Sequence, residues 1–185
     1  MRAAVLHAPR TPLTIEEVAV RKPGRREVLV RTAATGLCHS DLHFIDGSYP
    51  IPLPVVLGHE SAGIVEAVGE DVAYLKPGDP VISCLSVFCG HCEYCLSGRM
   101  SLCQDPEAKP RPGAAQRLSW RDAHMNQGLN LSGFAEQMLV HEHALVKIRP
   151  DMPLDLAALI GCAVITGYGA VVHTARVQPG SSVAV

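Results

Sequence analysis

Four thiols fall on one short segment of the chain: Cys89, Cys92, Cys95 and Cys103 in CGHCEYCLSGRMSLC, spaced C-x2-C-x2-C-x7-C. Two residues between cysteines let a tight turn aim both sulfurs inward, and four sulfurs close a tetrahedral shell around a zinc ion. A closed shell leaves no position for a substrate, so this cluster is expected to stabilise a lobe and not to react. The other readings of four such thiols are disulfides, redox thiols and an iron–sulfur cluster. The opening residues MRAAVLHAPR hold no long apolar segment with a cleavage site, which favours a reducing cytoplasm over export and disulfides. C-x2-C-x2-C also opens the bacterial ferredoxin run, but that run continues x3-C-P, whereas Cys103 follows after seven residues and precedes Gln104. Zinc is the favoured ion.

Three more metal-competent residues stand in marked settings: Cys38 in TGLCHSDLH, His59 in GHESAG and Cys162 in LIGCAVITG. Two thiolates and one imidazole match a catalytic zinc set, which keeps its fourth position open for water or substrate. Their separations along the chain are large, and by residue type alone a buried cysteine or a satisfied core histidine is the commoner state for each. Cys84 has no such setting and reads as a small buried hydrophobe.

Bringing distant ligands together needs a scaffold, and the first part of the chain alternates like short strands at 3–6, 13–18 and 27–32, punctuated by Pro9, Pro12 and Lys22-Pro23-Gly24. Strands at 61–68 and 80–85 flank Lys76-Pro77-Gly78-Asp79, where Pro then Gly suits a type II turn, and 134–148 holds two further strand-like pieces. This punctuation predicts a mainly β chain with a few helices, built on a small barrel. Residues 104–133 read as a polar loop, and 153–172 turn to a helical pattern. The most apolar run, 157–172, reads as a buried helix, shorter than a membrane crossing and interrupted by Gly161, Gly167 and Gly169. After a turn at 177–180, residues 181–185 begin a β-branched strand. The 185 residues, 48% hydrophobic, supply a core for one domain or for one plus the start of another. A formal charge of −2 without a basic stripe, together with 4% aromatic residues, argues against a nucleic-acid partner.

GHESAGIVEAVGEDV fits the zinc alcohol dehydrogenase pattern of G-H-E, two residues, Gly63, five residues, Gly69, two residues, Val72. With GLCHSDLH, the four-cysteine segment and LIGC in the same order, the chain resembles the N-terminal part of the zinc-dependent medium-chain alcohol dehydrogenases over nearly its whole length. The resemblance implies a GroES-like, partly open β-barrel. Residues 1–153 would form the catalytic domain with a structural-zinc lobe at 88–104, and 154–180 a connecting helical segment carrying a zinc ligand. Residues 181–185 would be the first strand of a nucleotide-binding domain.

The same resemblance implies roles for individual residues. Cys38, His59 and Cys162 would hold a catalytic zinc, and Cys89, Cys92, Cys95 and Cys103 a structural one, giving two zinc ions per chain. Ser40 and His43 would relay the proton that leaves the alcohol, while Asp41 orients His59 and Glu60 lies behind the metal. His39 and Thr166 would contact the cofactor, and Tyr49 and Leu85 would wall the substrate pocket, with ordinary barrel core as the other reading of Leu85. The implied reaction passes a hydride between a zinc-bound alcohol and NAD or NADP. Its partner is a small-molecule alcohol or aldehyde, with no nucleic acid and no membrane, in a cytoplasmic enzyme that is a homo-oligomer when complete. These 185 residues alone are expected to be inactive, and the alternative reading is a stand-alone zinc-binding GroES-like module without catalysis.

Overall fold

The computed structural model describes residues 1–110 and 117–184. Among them, the strands form two sheets that curl together into a nearly closed barrel. One sheet carries β1 (Arg2–Leu6), β2 (Thr14–Glu17), β3 (Ala19–Val20), β5 (Val55–Val56), β8 (Leu118–Trp120) and β9 (Ala123–Gln127), in the order β2-β1-β5-β9-β8-β3. The other carries β4 (Glu27–Thr35), β6 (Ser61–Val68), β7 (Pro80–Ser83), β10 (Gln137–His141) and β11 (Leu145–Lys147), in the order β10-β4-β6-β7-β11. All pairings between these strands are antiparallel except β5 with β9.

The cores follow from strand alternation. Val28 and Val30 of β4, Val65 of β6, Val81 of β7, Met138 and Val140 of β10 and Leu145 of β11 share one apolar cluster, while Arg31, next after Val30, faces solvent. Cys89 and Cys103 are buried in that same cluster, so the four-cysteine lobe is seated on the end of the barrel core. A second cluster joins Ala3, Val5, Val56, Leu118 and Met125 of the other sheet with Val18 between β2 and β3. Between the sheets lies a buried charge. Glu27 accepts two hydrogen bonds from the Arg21 guanidinium, at 2.6 and 2.9 Å, and one from Arg117 Nε at 2.7 Å, with Gly24 N–H donating a fourth at 2.7 Å. The Arg117 side chain is fully buried, and Glu27 is the partner that offsets the cost of desolvating it.

Several elements differ from the sequence expectation. Residues 104–133 are not a loop throughout: they contain β8 and β9, which pair with each other and extend the sheet to β3 and β5, remote in sequence. Part of that segment, 111–116, lies outside the described residues. The run 157–172 is not a buried helix. Ala157, Ala158 and Gly161 are buried, but the chain breaks at Cys162 (φ −140°, ψ −70°) between α3 (Leu154–Ala158) and α4 (Ala163–Gly169). Beyond the break Val164, Ile165, Tyr168 and Val171 are exposed. No single helix among the described residues is long and apolar enough to cross a membrane. The segment 181–184 belongs to no strand, and residue 185 lies outside the described residues. The turn at Lys76–Asp79 forms as read, with Asp79 N–H bonded to Lys76 C=O at 3.1 Å.

Candidate metal centre

The first donor set is local. Cys92 opens the short helix α2 (Glu93–Leu96) and Cys95 follows within it, which turns both sulfurs toward Cys89 and Cys103. Sulfur–sulfur distances are 3.5 Å for Cys92–Cys95, 3.9 Å for Cys89–Cys95 and 3.9 Å for Cys92–Cys103. Sulfurs bound at about 2.3 Å to a tetrahedral ion stand about 3.8 Å apart, whereas a disulfide needs about 2.05 Å. The four thiols therefore fit one zinc ion and no disulfide. Backbone N–H groups of Cys89, His91 and Cys92 point at the sulfurs of Cys103 and Cys89 at 3.3–3.4 Å, which holds the sulfurs facing one another. The charge is unevenly shared among free thiols: Cys92 is pushed down to about 6, chiefly by the N–H of Cys95, and Cys95 is pushed up to about 11 by burial and by the neighbouring thiols.

The second set is assembled from three distant places. β4 runs past two irregularities opposite β6 and delivers the chain to Cys38, the residue that caps α1 (His39–Ile45). His59 stands just before β6, held by a loop in which Gly133 and Phe134 N–H bond to the carbonyls of Gly58 and Leu57 at 2.8 and 2.9 Å. Gly58 has φ +92°, and a Cβ there would sit 2.6 Å from Phe134 N, so only glycine lets the chain turn His59 inward. Cys162 occupies the break between α3 and α4. There α3 packs Ala157 and Ala158 on Ala62 and Ile82, and a Cβ on Gly161 would lie 1.9 Å from Ser83 O. One donor atom from each of Cys38, His59, Glu60 and Cys162 lies within 4.8 Å of the others.

Asp41 ties this set together. Its Oδ2 accepts the Cys38 N–H at 3.3 Å, and its Oδ1 accepts the Gly58 N–H and the His59 Nδ1–H, each at 3.2 Å. That fixes the His59 tautomer with Nε2 as the free lone pair. Burial opposes the charged His59, but the Asp41 carboxylate and then the Cys38 sulfur together offset it and raise the imidazole above its ordinary value. Burial likewise opposes the Cys38 thiolate, yet the N–H and hydroxyl of Ser40 hold it below the ordinary thiol value. Cys162 is pushed up to about 12 by burial and by Glu60, so only a coordinated cation would keep it as a thiolate at neutral pH. Two thiol sulfurs, one oriented imidazole nitrogen and an adjacent carboxylate are a donor set that zinc accepts.

The remaining residues singled out from sequence are placed unevenly. Ser40 lies on the first turn of α1 beside Cys38, and His43 on its last turn. The rings of His39 and His43 meet edge to face at 4.8 Å, and Tyr49 lies 4.8 Å from His43. His39, Tyr49 and Thr166 are exposed. Thr166 sits one turn into α4, its N–H bonded to the carbonyl of Cys162 at 2.9 Å. Leu85 packs half-buried on the core cluster around Cys89 and Cys103. One carboxylate escaped the sequence reading: Asp46, which ends α1 three residues after His43.

Residues 24–150 match the alcohol dehydrogenase GroES-like domain. Over its full length the chain is 46% identical to the S-(hydroxymethyl)glutathione dehydrogenase of Haemophilus influenzae, covering 50% of that protein. Among solved structures, an alcohol dehydrogenase zinc-binding domain protein from Burkholderia ambifaria superposes with a TM-score of 0.87 at 39% identity, over 98% of this chain and 50% of that one. The benzyl alcohol dehydrogenase of Acinetobacter calcoaceticus gives 0.85 at 34% identity, over 98% and 50%. The chain thus spans about half the length of the relatives it matches.

Proposed function

Since the chain belongs to the alcohol dehydrogenase GroES-like domain family, we propose that it is the zinc-bearing catalytic part of an oxidoreductase interconverting a small alcohol and its carbonyl product with NAD or NADP. The observation that carries this reading is the convergence of Cys38, His59 and Cys162 from three separate elements on one ion-sized space, with Asp41 orienting the imidazole. When bound, zinc would supply Lewis acidity toward a hydroxyl oxygen and the nicotinamide would supply a hydride acceptor.

The chain's own residues do the rest. Cys38, His59 and Cys162 hold the ion, and their two negative charges moderate its acidity relative to an all-imidazole site. Ser40 Oγ takes the proton of the substrate hydroxyl, and His43 passes it toward solvent. Glu60 stands beside the donor set as a second negative charge near Cys162. His39 and Thr166 face the cofactor, while Tyr49 and Leu85 line the substrate side. Cys89, Cys92, Cys95 and Cys103 hold a second zinc that fixes the lobe at 88–104 within a catalytic domain formed by 1–153. In this reading 154–180 connect to a nucleotide-binding domain that opens at 181–185.

Metal analysis of the purified chain tests the proposal directly. We expect about two zinc ions per chain, one lost in Cys38→Ser or His59→Ala and the other in Cys92→Ser. About one zinc, sensitive to Cys92 alone, would sink the catalytic assignment. In a polypeptide that continues into the nucleotide-binding domain, Cys38→Ser should abolish alcohol-dependent reduction of the nicotinamide.

A further inference from the structure

The geometry points to Asp46 as the positioning residue that sets the tautomer of His43, keeping the proton on Nδ1 and leaving Nε2 as the basic nitrogen. The two residues share the end of one helix: His43 lies in the last turn of α1, Asp46 caps it, and Asp46 Oδ2 stands 3.9 Å from His43 Nδ1. Nδ1 is buried and makes no hydrogen bond to any described residue, so the carboxylate is the charge it meets. A lone pair on Nδ1 would face the carboxylate lone pairs, whereas an N–H there is attracted to them, so the neutral ring is stabilised with its proton on that side.

Asp46 is itself held in place. Its Oδ1 accepts the Ser48 N–H at 2.7 Å, its own N–H bonds to Leu42 O at 2.8 Å, and its carbonyl accepts Arg10 Nε–H at 3.1 Å. The Ser48 hydroxyl and N–H, with smaller contributions from His43 and Arg10, hold the carboxyl below its ordinary range, so it is an anion at neutral pH. The other rings packed on His43 are His39 and Tyr49, and neither offers a carboxylate. The consequence rests on the reading of His43 as the relay base: a proton from the Ser40 side is taken at Nε2, and the imidazolium so formed stays beside an anion.

The test needs no enzyme activity. Proton–nitrogen correlation spectra of the isotope-labelled, zinc-loaded chain at pH about 8.5, above the ordinary imidazole range, report which His43 nitrogen carries the proton. His43→Gln identifies the signals. We expect Nδ1 protonated in the wild type. Asp46→Asn keeps an oxygen for Ser48 N–H but can turn a donor toward His43, and should move the proton to Nε2. A wild-type His43 protonated on Nε2, or a tautomer unchanged in Asp46→Asn, overturns the proposal. The wild-type spectrum decides even if the variant does not fold. Zinc stoichiometry judges the catalytic-site reading separately, so the two failures are distinguishable.

Discussion

Asp41 does more for the site than its place in GLCHSDLH suggests, because its two oxygens bind groups from both the Cys38 and the His59 segments. Removing its charge while keeping its shape isolates that role. Asp41→Asn should weaken zinc at the Cys38 site by about 10–100-fold, the usual effect of losing a carboxylate behind a ligating histidine, while the tetrad keeps its ion. Competition with a chromophoric chelator measures both affinities, and an unchanged affinity at the Cys38 site would show that the buried Asp41 carboxylate does not act on the metal. The sequence named Asp41 because it sits in a motif. It could not name Asp46, whose relevance comes from helical spacing, since residues three apart share a face only once α1 is known to be a helix.

Two elements deliver Cys162 to the site, and they do so through contact between α3 and the end of β7. Gly161→Ala would force a methyl against Ser83 O, a backbone atom that cannot rotate away. We expect a loss of about 1–3 kcal/mol in urea unfolding together with loss of one zinc, and a fully stable, fully metallated variant would contradict this account of the joint. On the barrel side, His141 at the end of β10 is buried, with Nδ1 accepting the His143 N–H at 3.1 Å and Nε2 unpartnered among the described residues. Burial first, then the positive charges of His143, Arg26 and Arg117, push it down from 6.5 to about 4. Between those values the unfolded chain holds a proton that the folded chain does not. Full stability is therefore present above about 6.5 and is lost as the pH falls toward 4, by on the order of 3 kcal/mol. His141→Gln should flatten this part of the stability profile, and an equal slope in the variant would assign the acid loss elsewhere.

At the scale of the whole molecule, the legible parts were those whose signals are local. Ser61–Val68 alternates between firm turn residues and forms a strand over those residues, and the tetrad's spacing announces its geometry. β8 and β9 do not stand out in the sequence because, although they pair with each other, they are anchored to β3 and β5 far away in the chain, and residues such as Ser119, His124 and Asn126 break the apolar pattern. The run 157–172 was misread because apolar composition says that a surface avoids water, not which neighbour covers it. The separation of lobe from barrel is also testable. Stripping metal with a chelator should expose 88–104 to protease while the β signal of the barrel persists, since the valine and leucine contacts of the core are not made through zinc. Simultaneous loss of both would mean that the lobe holds up the barrel. The contrast between the two donor sets extends to time. The tetrad is written within one short segment, so an ion can seat there in a chain still emerging and unfolded. Cys38, His59 and Cys162 meet only after β4, β6 and the α3–α4 joint have found their places, which costs the closure of long loops. If both sets take zinc, uptake would then be ordered, with the first ion marking synthesis and the second the completion of folding.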